Sequence, residues 1–426
     1  MAIRLFDFLT GLSGALDLIS PEVVGHHKRV AYAAVRLART LNLPRPERTD
    51  LYLAGLMHDV GGFSVQSRLA ALQFETDGAL HAELGFRLLR KNPLLEGVAP
   101  IVRHHHTPFT RVEALPEARD GQQRKLFLAG VLCLADRLDA LLLQSGRKDG
   151  LSPQEVMARL RTLSGSMFDP QAVEALSELA GAERFWADLA SSDPTRALTD
   201  APDMFEDRDM SHAQLMAAST AFSQIIDFRS HFTATHTHGV AETAVCLAEK
   251  AGFDAPELDQ MRLAGNLHDL GKLAVPSEIV EKPGPLDERE KHVMRRHPEL
   301  TRAILGTVPG LEQVSRWASE HHEQPGGQGY PLGLSGRELS LGSRILAAAD
   351  VFTALREDRP YRPGMSREDT MRVLDRMSGH DALDPLVLSL VREHHGEIND
   401  RRQIAQAMAA AEFREFYSSL PQAEVA

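Results

Sequence analysis

The sequence predicts an all-α protein built from two tandem copies of one helical unit. Three observations predict it. Apolar residues recur at helical spacing, as at Val30, Ala34, Leu37 and Leu41, and the first half shows no convincing period-two alternation. An ordered series of histidines and aspartates occurs twice. A run rich in Ser, Pro and Asp, SSDPTRALTDAPDMFEDRDMS at 191–211, separates the two occurrences and reads as a linker. The expected division is 1–198 and 199–426.

In the first half, Ser20-Pro21-Glu22 combines an N-cap residue, a proline at the first helical position and an acid in the first turn. It is expected to start a helix that runs through His26 to Leu41. Asp50 is expected to cap a second helix ending at His58-Asp59 before two glycines. A helix from about Ala79 carries His81, and EGVAPIVRHHH carries His104, His105 and His106. The apolar run KLFLAGVLCLADRLDALLL carries Asp136, and helical segments follow near 152–163 and 170–190.

The second half repeats these landmarks. From His26 to His58 and from His236 to His268 the spacing is 32 residues. His81 follows His58 by 23 residues and His297 follows His268 by 29. From His81 to His105 and from His297 to His321 it is 24. Asp136 lies 31 beyond His105, and Asp350 lies 29 beyond His321. Phe168-Asp169-Pro170 and Leu383-Asp384-Pro385 close each copy at matching distances. An internal duplication of an all-helical unit explains the agreement.

Composition narrows the function. The 426 residues carry a net charge of −12, with a pI of about 5.9, which argues against a DNA or RNA polymer as partner. A small anionic substrate stays compatible, because a local metal cluster outweighs global charge. Cys133 and Cys246 lie inside apolar helical runs and read as buried thiols of a reducing, cytoplasmic setting. No run of about 18 apolar residues suggests a membrane span, and the N-terminus is a poor signal peptide.

The second half supplies His236, His268, Asp269, His297, His321, His322 and Asp350 in order. An aspartate has two oxygens and can bridge two ions, and imidazoles fill the remaining positions. Two ions about 3.5–4 Å apart activate water and clamp a phosphoryl oxygen. Histidines ahead of the glycine-rich turn around Gly326, Gly327 and Gly329, with an aspartate on the following helix, therefore point to metal-assisted phosphoester chemistry.

These residues carry a resemblance. The second half resembles the HD-GYP subgroup of the HD phosphohydrolase superfamily over nearly its whole length. The motifs are His268-Asp269-Leu270-Gly271-Lys272, Val275-Pro276, Lys282-Pro283-Gly284 and Arg296-His297-Pro298-Glu299. His321-His322-Glu323 through Gly329-Tyr330-Pro331, Ala349-Asp350-Val351-Phe352-Thr353-Ala354-Leu355 and Arg359-Pro360-Tyr361-Arg362 complete them. The resemblance implies a five-helix core and a metal-dependent phosphodiesterase that opens c-di-GMP to pGpG, with GMP the product in some members. The alternatives are another cyclic dinucleotide such as 3′3′-cGAMP, or a non-catalytic module that senses a dinucleotide. It further implies that His236, His268, Asp269 and Asp350 bind one divalent ion, with iron or manganese favoured. Asp269 would bridge to a second ion completed by His297, His321 and His322. Lys272 would stabilise charge at the scissile phosphate, making Asp269 and Lys272 the catalytic pair. Gly329, Tyr330, Pro331, Arg359 and Arg362 are the further substrate contacts.

Two positions depart from the family pattern. Members with a third metal carry a glutamate four residues before the first ligand histidine. Phe232 stands there, beside His231, so two ions are expected. Gly326 stands where an acid usually follows the HHE triplet. The first half resembles a plain HD domain, with Glu22, His26, His58, Asp59, His81, His105, His106 and Asp136 as a candidate second metal site. His104 leaves the histidine pairing there ambiguous. Gly62 replaces the lysine and no GYP loop follows, so this half is expected to regulate, dimerise or meet a signalling partner.

Overall fold

A computed structural model describes residues 3–18, 24–62, 79–145, 151–199, 203–228, 234–282, 284–358 and 363–418. Among them the secondary structure is helical, with three isolated β-bridges and no strand. The chain divides into two compact units, the first Arg4–Gln214 and the second essentially Leu215–Ala426. The break lies beyond the run read as a linker. Residues 203–210 pack on the first unit instead, because Phe205 stacks on Phe6 and Tyr52 at 5.2 and 4.8 Å. Asp207 accepts from the Phe6 amide, and Arg4 pairs with Asp207.

In the second unit, helix His236–Lys250 is central and packs on Ala255–Leu267, Leu341–Arg356 and His395–Tyr417. Val240, Ala244, Leu247, Leu263, Leu267, Ile345, Leu346 and Phe352 are fully buried there. Helix Ala255–Leu267 starts cleanly because Asp254 and Glu257 form a capping box, with a proline in its first turn. Gly265 lets it cross close to its neighbour: a Cβ on Gly265 would lie 2.6 Å from Ala241 Cα. Gly55 does the same in the first unit, 2.5 Å from Ala31 Cα. Each glycine sits three residues before a His-Asp pair, so the close crossing brings that pair to the first ligand helix.

The first unit repeats the arrangement. Helix His26–Thr40 packs on Arg45–Met57 and Gln123–Ser145, and Ala99–His104 joins the latter. Two helix starts differ from the sequence reading. Helix His26–Thr40 begins after Gly25, whose φ of 75° is left-handed and ends any helix running in from Ser20. Ser20, Pro21 and Glu22 lie outside the described residues. The next helix starts at Arg45 rather than Asp50, with Pro44 extended ahead of it and Pro46 in its first turn. Asp50 instead pairs with Lys125 at 2.6 Å. The two closing landmarks are N-caps: Asp169 and Asp384 accept from the first-turn amides of Pro170–Ala180 and Pro385–Glu393. Both cysteines are free and buried. Among the described residues no helix is long and apolar enough to cross a membrane.

Candidate active site

In the second unit the ordered set converges. His236 opens its helix, His268 ends Ala255–Leu267, and Asp269 begins the short 3-10 turn Leu270–Ala274. His297 opens His297–Leu305, His321 and His322 follow Glu312–Ser319, and Asp350 lies within Leu341–Arg356. Ligand atoms of His236, His268 and Asp350 fall within 4.8 Å of one another, and so do those of His297, His321 and His322. Asp269 joins the two groups: its Oδ2 is 3.3 Å from His268 Nε2 and its Oδ1 is 3.4 Å from His297 Nε2.

Backbone carbonyls orient the rings. His268, His297 and His321 donate from Nδ1 to the carbonyls of Gly265, Met294 and Ala318 at 2.7, 2.7 and 2.6 Å. Each bond fixes the tautomer and leaves the Nε2 lone pair facing the cluster. The Nε2 atoms of His297 and His321 then face each other at 3.3 Å, lone pair to lone pair. His268 Nε2 and Asp269 Oδ1 are buried without a hydrogen bond. Facing lone pairs and an orphaned carboxylate oxygen are what a shared divalent cation would satisfy, so the donor set fits metal ions.

The electrostatics agree. Burial, together with Lys272 and His321, pushes His297 down to about 3 against the pull of Asp269. Burial and the neighbouring His297 push His322 down to about 3, so both rings are neutral donors. His236 behaves oppositely. Burial disfavours its charge, yet Glu357 and Asp350 outweigh burial and raise it to about 10. Burial also works against the Asp269 and Asp350 carboxylates, but the surrounding histidines hold both well below the ordinary carboxylate range.

Lys272 Nζ donates to Asp269 Oδ2 at 2.6 Å and is half-buried at the rim. The GYP loop folds back on the ligands. Tyr330 donates its amide to His322 O, and its ring lies 4.8 Å from the His322 ring. Buried Glu323 accepts from the amides of Leu332 and Leu334, which fastens the loop's far side. Gly326, where the family carries an acid, donates its amide to the Asp381 carbonyl. Arg359, Arg362, Phe232 and His231 lie outside the described residues.

The first unit brings together His26, His58 and Asp136 as one group, and Asp59, His81, His105 and His106 as another. His104 turns to Glu117 at 3.6 Å, which resolves the pairing as His105 with His106. Sequence reasoning missed four residues. Glu357 and Asp139 sit behind His236 and His26 at 3.1 and 2.7 Å. Arg137 is buried against Asp136, and Arg295 lies over the Tyr330 ring at 5.3 Å. One signal was available elsewhere. Asp17 meets His27, and Asp227 meets Thr237, each ten residues apart, a spacing common to both halves.

HD domain family models match residues 23–141 and 220–387. The 3′3′-cGAMP-specific phosphodiesterase 1 of Vibrio cholerae is 31% identical over 388 residues, covering 89% of each chain. This chain belongs to the HD-GYP cyclic dinucleotide phosphodiesterases. The 3′3′-cGAMP-specific phosphodiesterase 3 of Vibrio cholerae is 28% identical over 432 residues, 89% of this HD-GYP chain and 92% of its own. A cyclic di-GMP phosphodiesterase of Pseudomonas aeruginosa is 34% identical over 178 residues, 41% of this chain and 42% of its own. A crystal structure of a cyclic GMP-AMP specific phosphodiesterase from Vibrio cholerae shares the fold. Its TM-score is 0.63 at 23% identity, covering 99% of this HD-GYP chain and all of that one. HD-GYP enzymes are metal-dependent, and the histidine and aspartate groups are the candidate sites.

Proposed function

We propose that the second unit hydrolyses one phosphodiester bond of 3′3′-cGAMP. Extended similarity favours this substrate. The two relatives that align with 89% of the chain, across both units, carry that specificity in their names. The cyclic di-GMP relative aligns with only 41%. The GYP motif keeps c-di-GMP as the second reading, since it is the substrate that the second half's resemblance implies.

His236, His268, Asp269 and Asp350 would hold one divalent ion, and Asp269, His297, His321 and His322 the other, as their convergence supports. Two such ions supply an activated water and Lewis-acid clamping of the phosphoryl oxygens. The chain's own residues do the rest. Neutral His297 and His322 present lone pairs without a proton to displace. Lys272 holds a positive charge beside Asp269, where it would stabilise negative charge developing on the phosphoryl oxygens. Tyr330 and Arg295 form an aromatic and cationic edge suited to a purine and its phosphate. Cleavage of the P–O3′ bond leaves a linear dinucleotide with a 5′-phosphate. The first unit is assigned a regulatory or partner-binding role.

Metal-loaded full chain should be assayed against 3′3′-cGAMP and c-di-GMP, with Asp269→Ala as control. Faster turnover of 3′3′-cGAMP supports the proposal. Preference for c-di-GMP reverses the substrate reading, and identical behaviour of Asp269→Ala overturns the assigned site.

A further inference from the structure

Seven histidines in the two clusters point Nδ1 at an acceptor. In the second unit these are His236 on Glu357 and His268, His297 and His321 on carbonyls. In the first unit they are His26 on Asp139, and His58 and His105 on the carbonyls of Gly55 and Val102. His106 breaks the pattern. Its Nδ1 lies 2.9 Å from a terminal guanidinium nitrogen of Arg137. A guanidinium only donates, so His106 Nδ1 accepts, and the neutral ring then carries its proton on Nε2. An Nε2–H has no lone pair for a cation. It points at His81 Nε2, 2.9 Å away, and donates to it.

The same guanidinium lies 3.2 Å from Asp136 Oδ2, and Arg137 is 2% exposed. Asp136 is 3% exposed, whereas Asp350, at the matching place in the second unit, is 15% exposed. Val351 follows Asp350 where Arg137 follows Asp136, so that position supplies no cation in the second unit.

We propose that Arg137 takes the place of one metal ion in the first unit, which therefore binds a single ion. The position of that ion keeps four donors. His26 Nε2 and His58 Nε2 are 3.2 Å apart, and Asp136 Oδ1 lies 3.4 and 3.6 Å from them. Asp59 Oδ2 completes the set, 3.5 Å from His58 Nε2. At the other position the Arg137–His106–His81 hydrogen-bond chain consumes one donor outright and occupies a second. Without a pair of ions the first unit has no clamp for a phosphoryl oxygen. It is a closed one-ion domain rather than a second hydrolytic centre. The two-ion reading of the second unit serves as the reference.

The test is metal counting on the full chain, loaded anaerobically with Mn(II), desalted and analysed by mass spectrometry. Wild type should hold about three ions per chain, two in the second unit and one in the first. His322→Ala should lower the count by about one, while His106→Ala at the matching position leaves it unchanged. Arg137→Gln should raise it by about one. The double variant His268→Ala/Asp269→Ala isolates the first unit and should retain about one ion. Two ions or none in that double variant, or loss of an ion on His106→Ala, overturns the proposal. No change on His322→Ala would instead overturn the two-ion reading of the second unit, leaving the double variant's count to decide the first. If Arg137→Gln fails to fold by circular dichroism, the His106→Ala count decides.

Discussion

Glu357 holds His236 from behind. Its carboxylate lies 3.1 Å from His236 Nδ1, while His236 Nε2 faces Asp350 Oδ1, also at 3.1 Å. The imidazole is clamped between two acids, one buried behind it and one in the metal cluster. Removing the rear acid frees the ring to rotate and makes it a weaker donor. Glu357→Ala should weaken binding of the His236-side ion by roughly 10–100-fold, and Glu357→Gln less, because the amide oxygen still accepts. Metal titration after chelator treatment measures both. Equal affinity in Glu357→Ala and wild type would refute a positioning role.

Lys272 donates to Asp269 Oδ2, and its own ammonium, with no lone pair, is not a metal ligand. Its role should therefore be in the transition state rather than in holding metal. Lys272→Met is expected to lower kcat by about 10²–10³-fold, with KM changing far less. Its metal content by mass spectrometry should match wild type. A variant that turns over normally but loses metal would make Lys272 a support for Asp269 alone.

Gly329 sits where the GYP loop passes closest to the triplet before it. A Cβ there would lie 2.4 Å from Glu323 Cα, and backbone cannot yield as a flexible side chain would. Gly329→Ala should push the loop outward, pulling Tyr330 off the His322 ring. Overpacking of this kind costs about 1–3 kcal/mol, read as a lower Tm, and KM should rise because the rim is displaced. An unchanged Tm and KM would show that the loop absorbs the methyl.

The ligands were legible in the sequence because a helical scaffold fixes both their type and spacing. His268, Asp269 and Asp350 could only recur at matching intervals if the same helices brought them together. The groups behind them were not legible. Glu357 is 121 residues from His236 and Asp139 is 113 from His26, with no common offset from the neighbouring aspartate. Arg137 reads in sequence as one charge on a long apolar helix, and only packing reveals it buried on His106. The expected run of one helix from Ser20 through Gly25 and the expected start at Asp50 both fail for a local reason. Capping residues are a weak prior, and Gly25 with positive φ and the Pro44–Pro46 pair override them.

Proton linkage gives the last prediction. In the metal-free protein His236 and His26 are raised to about 10, each by acids that outweigh burial. Their folded forms hold a proton that an unfolded histidine, near 6.5, releases, so their contribution to stability is present below about 6.5 and lost as pH rises toward 10. His297, His322 and His105 are pushed the other way, to about 3, chiefly by burial. The unfolded chain binds their protons first as pH falls below about 6.5, so stability is lost on that side too. Chelator-treated protein should therefore melt highest near pH 6.5 and lower on both sides. Metal changes one limb. An ion on His236 Nε2 must displace the proton, so uptake at pH 7–8 should release protons and tighten as pH rises. Calorimetric titration in two buffers of different ionisation enthalpy reads this directly, and heats that do not depend on buffer would contradict it.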